Sequence, residues 1–137
     1  MARRIAAHIT IAYEAADDPS LQVVLDRVAA NAALIVRLTR VECWGSPERG
    51  IYLGVNDAEG SIARIRRVLH AADGAEAYIP HVTLVHPRSV PPPRAREAWH
   101  QLADRVIDAE VLIDRLVVIE SRGSQWQTVA TVSLPGR

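Results

Sequence analysis

Apolar residues along the chain change between two spacings, and these spacings predict strands and helices. Short runs rich in β-branched residues are typical of strands, and they occupy residues 5–13, 34–42, 51–56, 79–86, 111–120 and 126–134. Apolar residues three and four positions apart are typical of helices, and they mark about residues 19–31, 61–72 and 95–106. This order predicts an α+β fold of mainly antiparallel sheets with helices on their outer faces.

Turn-forming residues predict how these elements are joined. DDP at 17–19 offers an N-cap aspartate and a proline at the first helical position. WGSPERG (44–50) predicts a hairpin with a long loop. PRSVPPP (87–93) predicts a loop that no helix or central strand could contain. SRGSQ (121–125) predicts the turn of a second hairpin.

One short pattern occurs twice, in AHITIAY (7–13) and in PHVTLVH (80–86). Both have a histidine, a β-branched residue, a threonine and an aliphatic residue in that order. Each copy begins a strand, and the predicted order after that strand is helix, strand, strand. We therefore expect a pseudo-twofold repeat that forms two lobes of a single domain over residues 1–137, with repeats at about 5–56 and 57–134.

The repeated pattern carries candidate chemistry. Side chains alternate along a strand, so His8 and Thr10 share one face, and so do His81 and Thr83. If the lobes face each other, two imidazoles and two hydroxyls converge. Two histidines can act as general base and general acid in phosphodiester cleavage without a metal, and threonine hydroxyls can bind the phosphate oxygens. One such motif alone is more often structural, but two at corresponding points favour function.

Composition narrows the class of protein. The 137 residues are 49% apolar and 23% charged with zero net charge, as in a soluble globular domain that does not coat long nucleic acid by charge alone. No apolar run approaches the roughly 18 residues of a membrane span, and the single cysteine, Cys43, gives no reason to expect secretion. We therefore expect a cytoplasmic protein. All sixteen cations are arginine, and the absence of lysine excludes Walker A, lysine Schiff-base and lysyl-adenylate chemistry.

The two motifs, with the closing stretch IDRLVVIESRGSQWQTVATVSL (113–134), resemble the 2H phosphoesterases, which include bacterial 2′-5′ RNA ligase and RNA 2′,3′-cyclic phosphodiesterase-like proteins. The resemblance implies a bilobal α+β fold with a groove between the lobes and with no metal or other cofactor. It implies hydrolysis of 2′,3′-cyclic phosphates or related phosphodiesters on RNA ends or nucleotides. Some relatives also join RNA ends reversibly without ATP. By motif match, the catalytic roles fall on His8 and His81 and the phosphate contacts on Thr10 and Thr83. The acid and the base stay unassigned.

The chain departs from the family in one respect. Members usually have a strand and a helix before the first motif, whereas seven residues precede His8 here. We therefore expect a fold that lacks this strand and helix. Three explanations stay open: the chain is a trimmed version, its start has been misplaced, or another subunit covers the exposed strand edge, which would form a homodimer. The alternative function is a non-catalytic nucleotide- or RNA-end-binding module that kept the groove. A structural partner protein is a third hypothesis.

Further residues are candidates for binding substrate. The rings of Tyr52 and Trp126 could stack on a base, as could Trp44, and Arg122 could pair with a phosphate. Ordinary hairpin packing for the aromatic residues and a solvated loop for Arg122 remain open. No metal site is predicted, because neither Cys43 nor any carboxylate is suitably spaced with the histidines. We expect packing, rim or solvent-facing roles for the other histidines: His70, His86 and His100.

Overall fold

A computed structural model describes residues 6–12, 21–69 and 78–135. Within these ranges the helices are α1 (Leu21–Ala29), α2 (Ser61–Val68) and α3 (Pro92–Leu102). The strands are β1 (Leu34–Trp44), β2 (Ser46–Asn56), β3 (His81–Val85), β4 (Val106–Ile113), β5 (Arg115–Arg122) and β6 (Gln125–Ser133). They form a four-stranded sheet in the order β3-β2-β1-β4 and a two-stranded sheet β5-β6, with antiparallel neighbours throughout. The predicted α+β class with antiparallel sheets is confirmed.

The first hairpin forms as predicted, but the chain reverses at Gly45 instead of in a long open loop. Gly45 has φ of +82°, a left-handed conformation that glycine adopts without steric strain. The pairing then passes from Trp44↔Ser46 directly to Cys43↔Ile51, so residues 47–50 bulge out of the ladder. The turn chemistry of WGSPERG therefore produces a tight reversal followed by an irregular strand.

Strand β4 was missed by the sequence analysis, which assigned Val106 to a helix and residues 111–113 to the last hairpin. Helix α3 ends at Leu102, and β4 then pairs with β1 from Arg40↔Val106 to Leu34↔Ile113. The non-glycine residue Asp104 has φ of +60° in the connection, which breaks the helical pattern before Val106 is reached. The last hairpin is therefore β5-β6, and it turns at Gly123 and Ser124.

The proline-rich loop is also shorter than predicted, because α3 begins at Pro92 and contains Pro93. A proline in the first helical turn loses nothing, since the amide it lacks would have no partner in the helix. The predicted helix start at 17–19 and the predicted end of the second helix beyond residue 69 lie outside the described residues.

The N-terminal strand predicted over residues 5–13 is present only as a single bridge within residues 6–12, where Ile9 pairs antiparallel with Val82 of β3. The next two carbonyls of this segment are bound by side chains and not by the backbone of a neighbouring strand. The Tyr78 hydroxyl donates to Thr10 O, and Arg66 donates to Ile11 O. The segment therefore lies beside β3 without extending the sheet as a regular strand.

The four-stranded sheet buries one face and leaves the other open. The buried face packs into two apolar clusters. One cluster lies against α1, α2 and the end of β6 and contains Leu25, Val28, Leu34, Val36, Ile62, Ile65, Val132 and Leu134. The other has Val41, Ile51 and Leu53 under α3, with Val82 beside them. Because side chains alternate, the opposite face presents Tyr52, Gly54, His81 and Thr83.

An ion pair reinforces the position of α3 on the buried face. The Arg96 guanidinium lies 2.7 Å from the Glu48 carboxylate of β2. This hydrogen bond is the main reason that the pKa of Glu48 lies below its ordinary value. The ion pair thus joins α3 to β2, and the candidate site lies on the opposite face of the sheet.

Strands from both halves of the chain share the four-stranded sheet, since β1 and β2 precede α2 while β3 and β4 follow it. The division into lobe-forming repeats at about residues 5–56 and 57–134 stays a prediction. In the described part of the chain, no helix is long and apolar enough to cross a membrane.

Candidate active site

The second motif lies on β3, where pairing with β2 fixes its register. His81 pairs with Gly54 and Thr83 with Tyr52. Val82, between them, packs with the apolar cluster under α3, so the alternation of a strand turns His81 and Thr83 to the open face.

The first motif reaches the same place through the pairing of Ile9 with Val82. In an antiparallel pair, the residue before one partner lies opposite the residue after the other. His8 therefore lies opposite Thr83, and Thr10 opposite His81, with Cβ atoms expected about 4.5–5.5 Å apart. The bridge therefore predicts a crossed arrangement of the four residues, in which each histidine faces the threonine of the other motif.

Both histidines make the same contact with the backbone. His8 Nδ1 lies 2.8 Å from Ala6 O, and His81 Nδ1 lies 2.9 Å from Ile79 O, two residues upstream in each case. A carbonyl oxygen can only accept, so Nδ1 must carry the proton in each of these bonds. Nε2 is then the ring nitrogen of each histidine that remains to exchange a proton with a ligand.

Two aromatic rings flank His81. Trp44 stacks on Tyr52 with ring centroids 4.1 Å apart, and the His81 ring meets them edgewise at 5.0 and 5.7 Å. Tyr52 is 8% exposed, so its ring packs beneath Trp44 as part of the wall of the site. Burial is the main cause that raises the pKa of Tyr52, followed by the charge of Glu42 and a hydrogen bond to it.

Gly54 allows side chains from β1 to approach β2 closely beside His81. A Cβ atom at this position would lie 2.6 Å from Thr39 Oγ1 and 3.3 Å from Glu42 Oε2. Glu42 pairs with Tyr52 across the hairpin, so a carboxylate borders the open face next to the histidine. Thr39 and Glu42 could not be predicted from the sequence, because the bulge at 47–50 conceals the hairpin register that aligns Glu42 with Tyr52.

Trp126 and Arg122, the other predicted substrate-binding residues, lie at the tip of the β5-β6 hairpin. Arg122 pairs with the Glu120 carboxylate at 3.0 Å, and Trp126 pairs with Ser121 across the hairpin and is 44% exposed. These contacts lie within the hairpin, and a role of either residue at the site stays a prediction.

The remaining described histidines are not part of the two H-x-T pairs. His86 is exposed and accepts a hydrogen bond from the Arg88 amide in the turn after β3, and His100 is exposed on α3. His70 lies outside the described residues. Among residues 6–12, 21–69 and 78–135, no three histidine, cysteine or carboxylate side chains are grouped as metal ligands, and the absence of a metal or other cofactor stays a prediction.

Comparison with known proteins identifies the family. A family model described as the 2′-5′ RNA ligase superfamily matches residues 1–125. Among solved structures, the crystal structure of TT0787 of Thermus thermophilus superposes with a TM-score of 0.63 over 95% of this chain and 79% of that chain, at 17% sequence identity. At this identity, the likeness shows the fold. No curated protein matches the chain.

Proposed function

Because the chain belongs to the 2′-5′ RNA ligase superfamily, we propose that it is a metal-independent phosphoesterase of the 2H type. Its substrates are 2′,3′-cyclic phosphates or related phosphodiesters on RNA ends or nucleotides. In the related, reversible and ATP-independent 2′-5′ RNA ligation, a 5′-hydroxyl of RNA attacks the phosphorus in place of water. The observation that supports this proposal most is the antiparallel pairing of Ile9 with Val82. This pairing predicts that the histidine of each motif lies opposite the threonine of the other, on the open face of the sheet.

In the proposed reaction, Nε2 of one histidine accepts a proton from the attacking water, and the water oxygen forms a bond to phosphorus. The bond from phosphorus to one ribose oxygen breaks, and Nε2–H of the other histidine donates a proton to that oxygen. Each proton transfer contributes about 10²- to 10⁴-fold to the rate. The hydroxyls of Thr10 and Thr83 donate to the non-bridging oxygens, where negative charge develops.

The surroundings of the histidines suggest how a substrate would be held. The exposed face of Trp44, stacked on Tyr52, lies where a base next to the phosphate could pack. We propose supporting contacts from Trp126 to a base and from Arg122 to a phosphate. We also propose a cytoplasmic location and a homodimer.

The test uses variants that keep the backbone contact but lose the reacting nitrogen. In His8→Asn and His81→Asn, the amide NH₂ can still donate where Nδ1 does, while nothing replaces Nε2. The protein and its variants are incubated in EDTA with a 2′,3′-cyclic mononucleotide and with a short RNA ending in a cyclic phosphate. We expect turnover by the unmodified protein and at least about a 10²-fold loss in each variant.

His86→Asn is the matched control, because His86 is exposed in the turn that follows the same strand. We expect this variant to keep full activity. In the unmodified protein, the position of the phosphate in the product, on the 2′ or the 3′ oxygen, identifies the bond that breaks. Loss of activity in EDTA with recovery on adding zinc or manganese would contradict the proposal. So would a loss of less than about tenfold in either Asn variant.

One observation favours the alternative of a non-catalytic binding module. His8 is exposed, and within residues 6–12 a single bridge attaches its segment to β3. A module of this kind would bind a 2′-nucleotide without converting any cyclic phosphate, and His8→Asn would change its affinity by less than about tenfold, or 1.4 kcal/mol. Calorimetric titration alongside the activity assay separates the two functions.

A further inference from the structure

The two motifs are supported in different ways. His81 and Thr83 lie in a strand with consecutive partners on β2. The segment of His8 and Thr10 has one bridge, and its next two carbonyls are bound by side chains from elsewhere in the fold. The position of the first motif relative to the second therefore depends on those side chains.

The two donors form one cluster. The Tyr78 hydroxyl lies 2.5 Å from Thr10 O, and an Arg66 NH₂ group donates to Ile11 O. The Arg66 guanidinium also lies over the Tyr78 ring, 3.7 Å from its centroid. Arg66 comes from α2, and Tyr78 comes three residues before His81, so the cluster ties the first motif both to a helix and to the start of the strand that carries the second motif.

We propose that Arg66 and Tyr78 are positioning residues that hold the first motif in register with the second. This inference rests on the proposed function, since its consequence for catalysis is the placement of His8 Nε2 and of the Thr10 hydroxyl against the reacting phosphate. The contacts that carry this role are those of Arg66 and Tyr78 with main-chain carbonyls. Both act on the main chain immediately after His8 and Ile9.

The chemistry of both residues suits this role. A guanidinium is planar and always charged, so it can donate to a carbonyl with its edge while its face packs on an aromatic ring. The Tyr78 ring beneath the guanidinium fixes the plane of that group, and the Tyr78 hydroxyl donates a hydrogen bond to the neighbouring carbonyl. Lysine could supply the bond but not the planar stacking. Phenylalanine could supply the ring but not the bond.

Small errors in the placement of a reacting group are expected to lower the rate much more than the binding of substrate. A displacement of about 1 Å can reduce a rate by about 10²-fold. We expect Tyr78→Phe and Arg66→Gln each to lower kcat about 10- to 100-fold and to change KM less than about threefold. Arg66→Lys should fall between Arg66→Gln and the unmodified protein. Arg67→Gln removes the same charge from an exposed position on the same helix and should leave both constants unchanged.

A double-mutant cycle separates positioning from general loss of stability. With His8→Asn already present, the first motif has only the Thr10 hydroxyl left to position, so Tyr78→Phe should lower the residual rate by a smaller factor than in the unmodified protein. A loss as large as that in the unmodified background would overturn the inference. A change confined to KM, or an equal effect of Arg67→Gln, would overturn it as well.

A structural readout keeps the inference testable if the protein turns over no cyclic phosphate. Nuclear Overhauser contacts between residues 9 and 82 report the register of the first motif, and contacts between residues 54 and 81 report the intact sheet. In the combined Arg66→Gln and Tyr78→Phe variant, the first set should disappear while the second remains. Persistence of both sets would overturn the positioning role whether or not the protein is an enzyme.

Discussion

At the scale of single residues, Tyr52 links the stability of the site to pH. Its pKa is raised, first by burial and then by Glu42, so the folded state keeps the phenol proton at pH values where the unfolded chain releases it. The free energy of unfolding should therefore fall as the pH rises past 10.0, the ordinary pKa of tyrosine. Below that pH, the contribution of the raised pKa is fully present.

Urea unfolding at about pH 8.5 and about pH 10.5 measures this effect. The unmodified protein should lose more stability between the two values than Tyr52→Phe, which cannot titrate at this position. The chain contains no lysine, so few other groups titrate in this range, and they are common to both proteins. An equal loss in the two proteins would show that Tyr52 titrates alike in the folded and unfolded states.

The residues of the site differ in how far the sequence could predict them. His8, Thr10, His81 and Thr83 could be found because alternation and repetition are local patterns. Glu42 could not be predicted, since its pairing with Tyr52 depends on a bulge in the opposite strand. Arg66 and Tyr78 could not either, because both bind backbone carbonyls, and a carbonyl acceptor has no signature in the amino-acid sequence.

At the scale of elements, α2 depends on an aspartate that precedes it. The two Asp57 carboxylate oxygens accept hydrogen bonds from the amides of Ser61, Ile62 and Ala63 at 2.8 to 3.2 Å. These amides would otherwise have no partner within the helix, and a negative charge is favourable at a helix N-terminus. Asp57→Ala should therefore lower the free energy of unfolding by about 1–2 kcal/mol.

Chemical denaturation measures this loss, and Asp57→Asn should lose less because one acceptor oxygen remains. Glu59→Ala is the control, since Glu59 is exposed in the same connection and its carboxylate is not the acceptor of these three amides. A loss in Glu59→Ala as large as that in Asp57→Ala would indicate a general charge effect in place of capping.

The elements themselves were predicted best where the pattern is local. The first hairpin, β3 and the β5-β6 hairpin follow from β-branched runs and turn residues. Strand β4 was missed because Val106 continues the apolar spacing of α3, and the reversal depends on the backbone of Asp104. The N-terminal run looks like a strand in isolation, but its pairing depends on a partner far along the chain.

At the scale of the whole molecule, the zero net charge predicts how an RNA end would bind. Sixteen arginines are balanced by sixteen carboxylates, and some arginines, such as Arg37 with Asp108 and Arg96 with Glu48, are already paired. We expect the protein to neutralise only one or two phosphates of a single-stranded RNA. Its affinity should then weaken less than about tenfold between about 50 and 200 mM salt.

Fluorescence titration of labelled RNAs with a cyclic phosphate end tests this expectation. Lengthening the RNA away from that end should change the affinity little, and an RNA of the same sequence with a plain 3′-hydroxyl should bind more weakly. A steep salt dependence that grows with RNA length would indicate a binding surface along the chain of the RNA and not at its end.

The crossed arrangement around Ile9 and Val82 has a consequence for the direction of turnover. Each histidine has the same backbone contact through Nδ1 and is predicted to face a threonine of the other motif, so either histidine could act as the acid or as the base through Nε2. After one proposed hydrolysis the base is protonated and the acid is not, and these are the protonation states from which a 2′-5′ linkage would be cleaved back to a cyclic phosphate. Such a site does not favour either direction of the reaction. The concentrations of water, cyclic phosphate ends and free hydroxyls then decide which product accumulates.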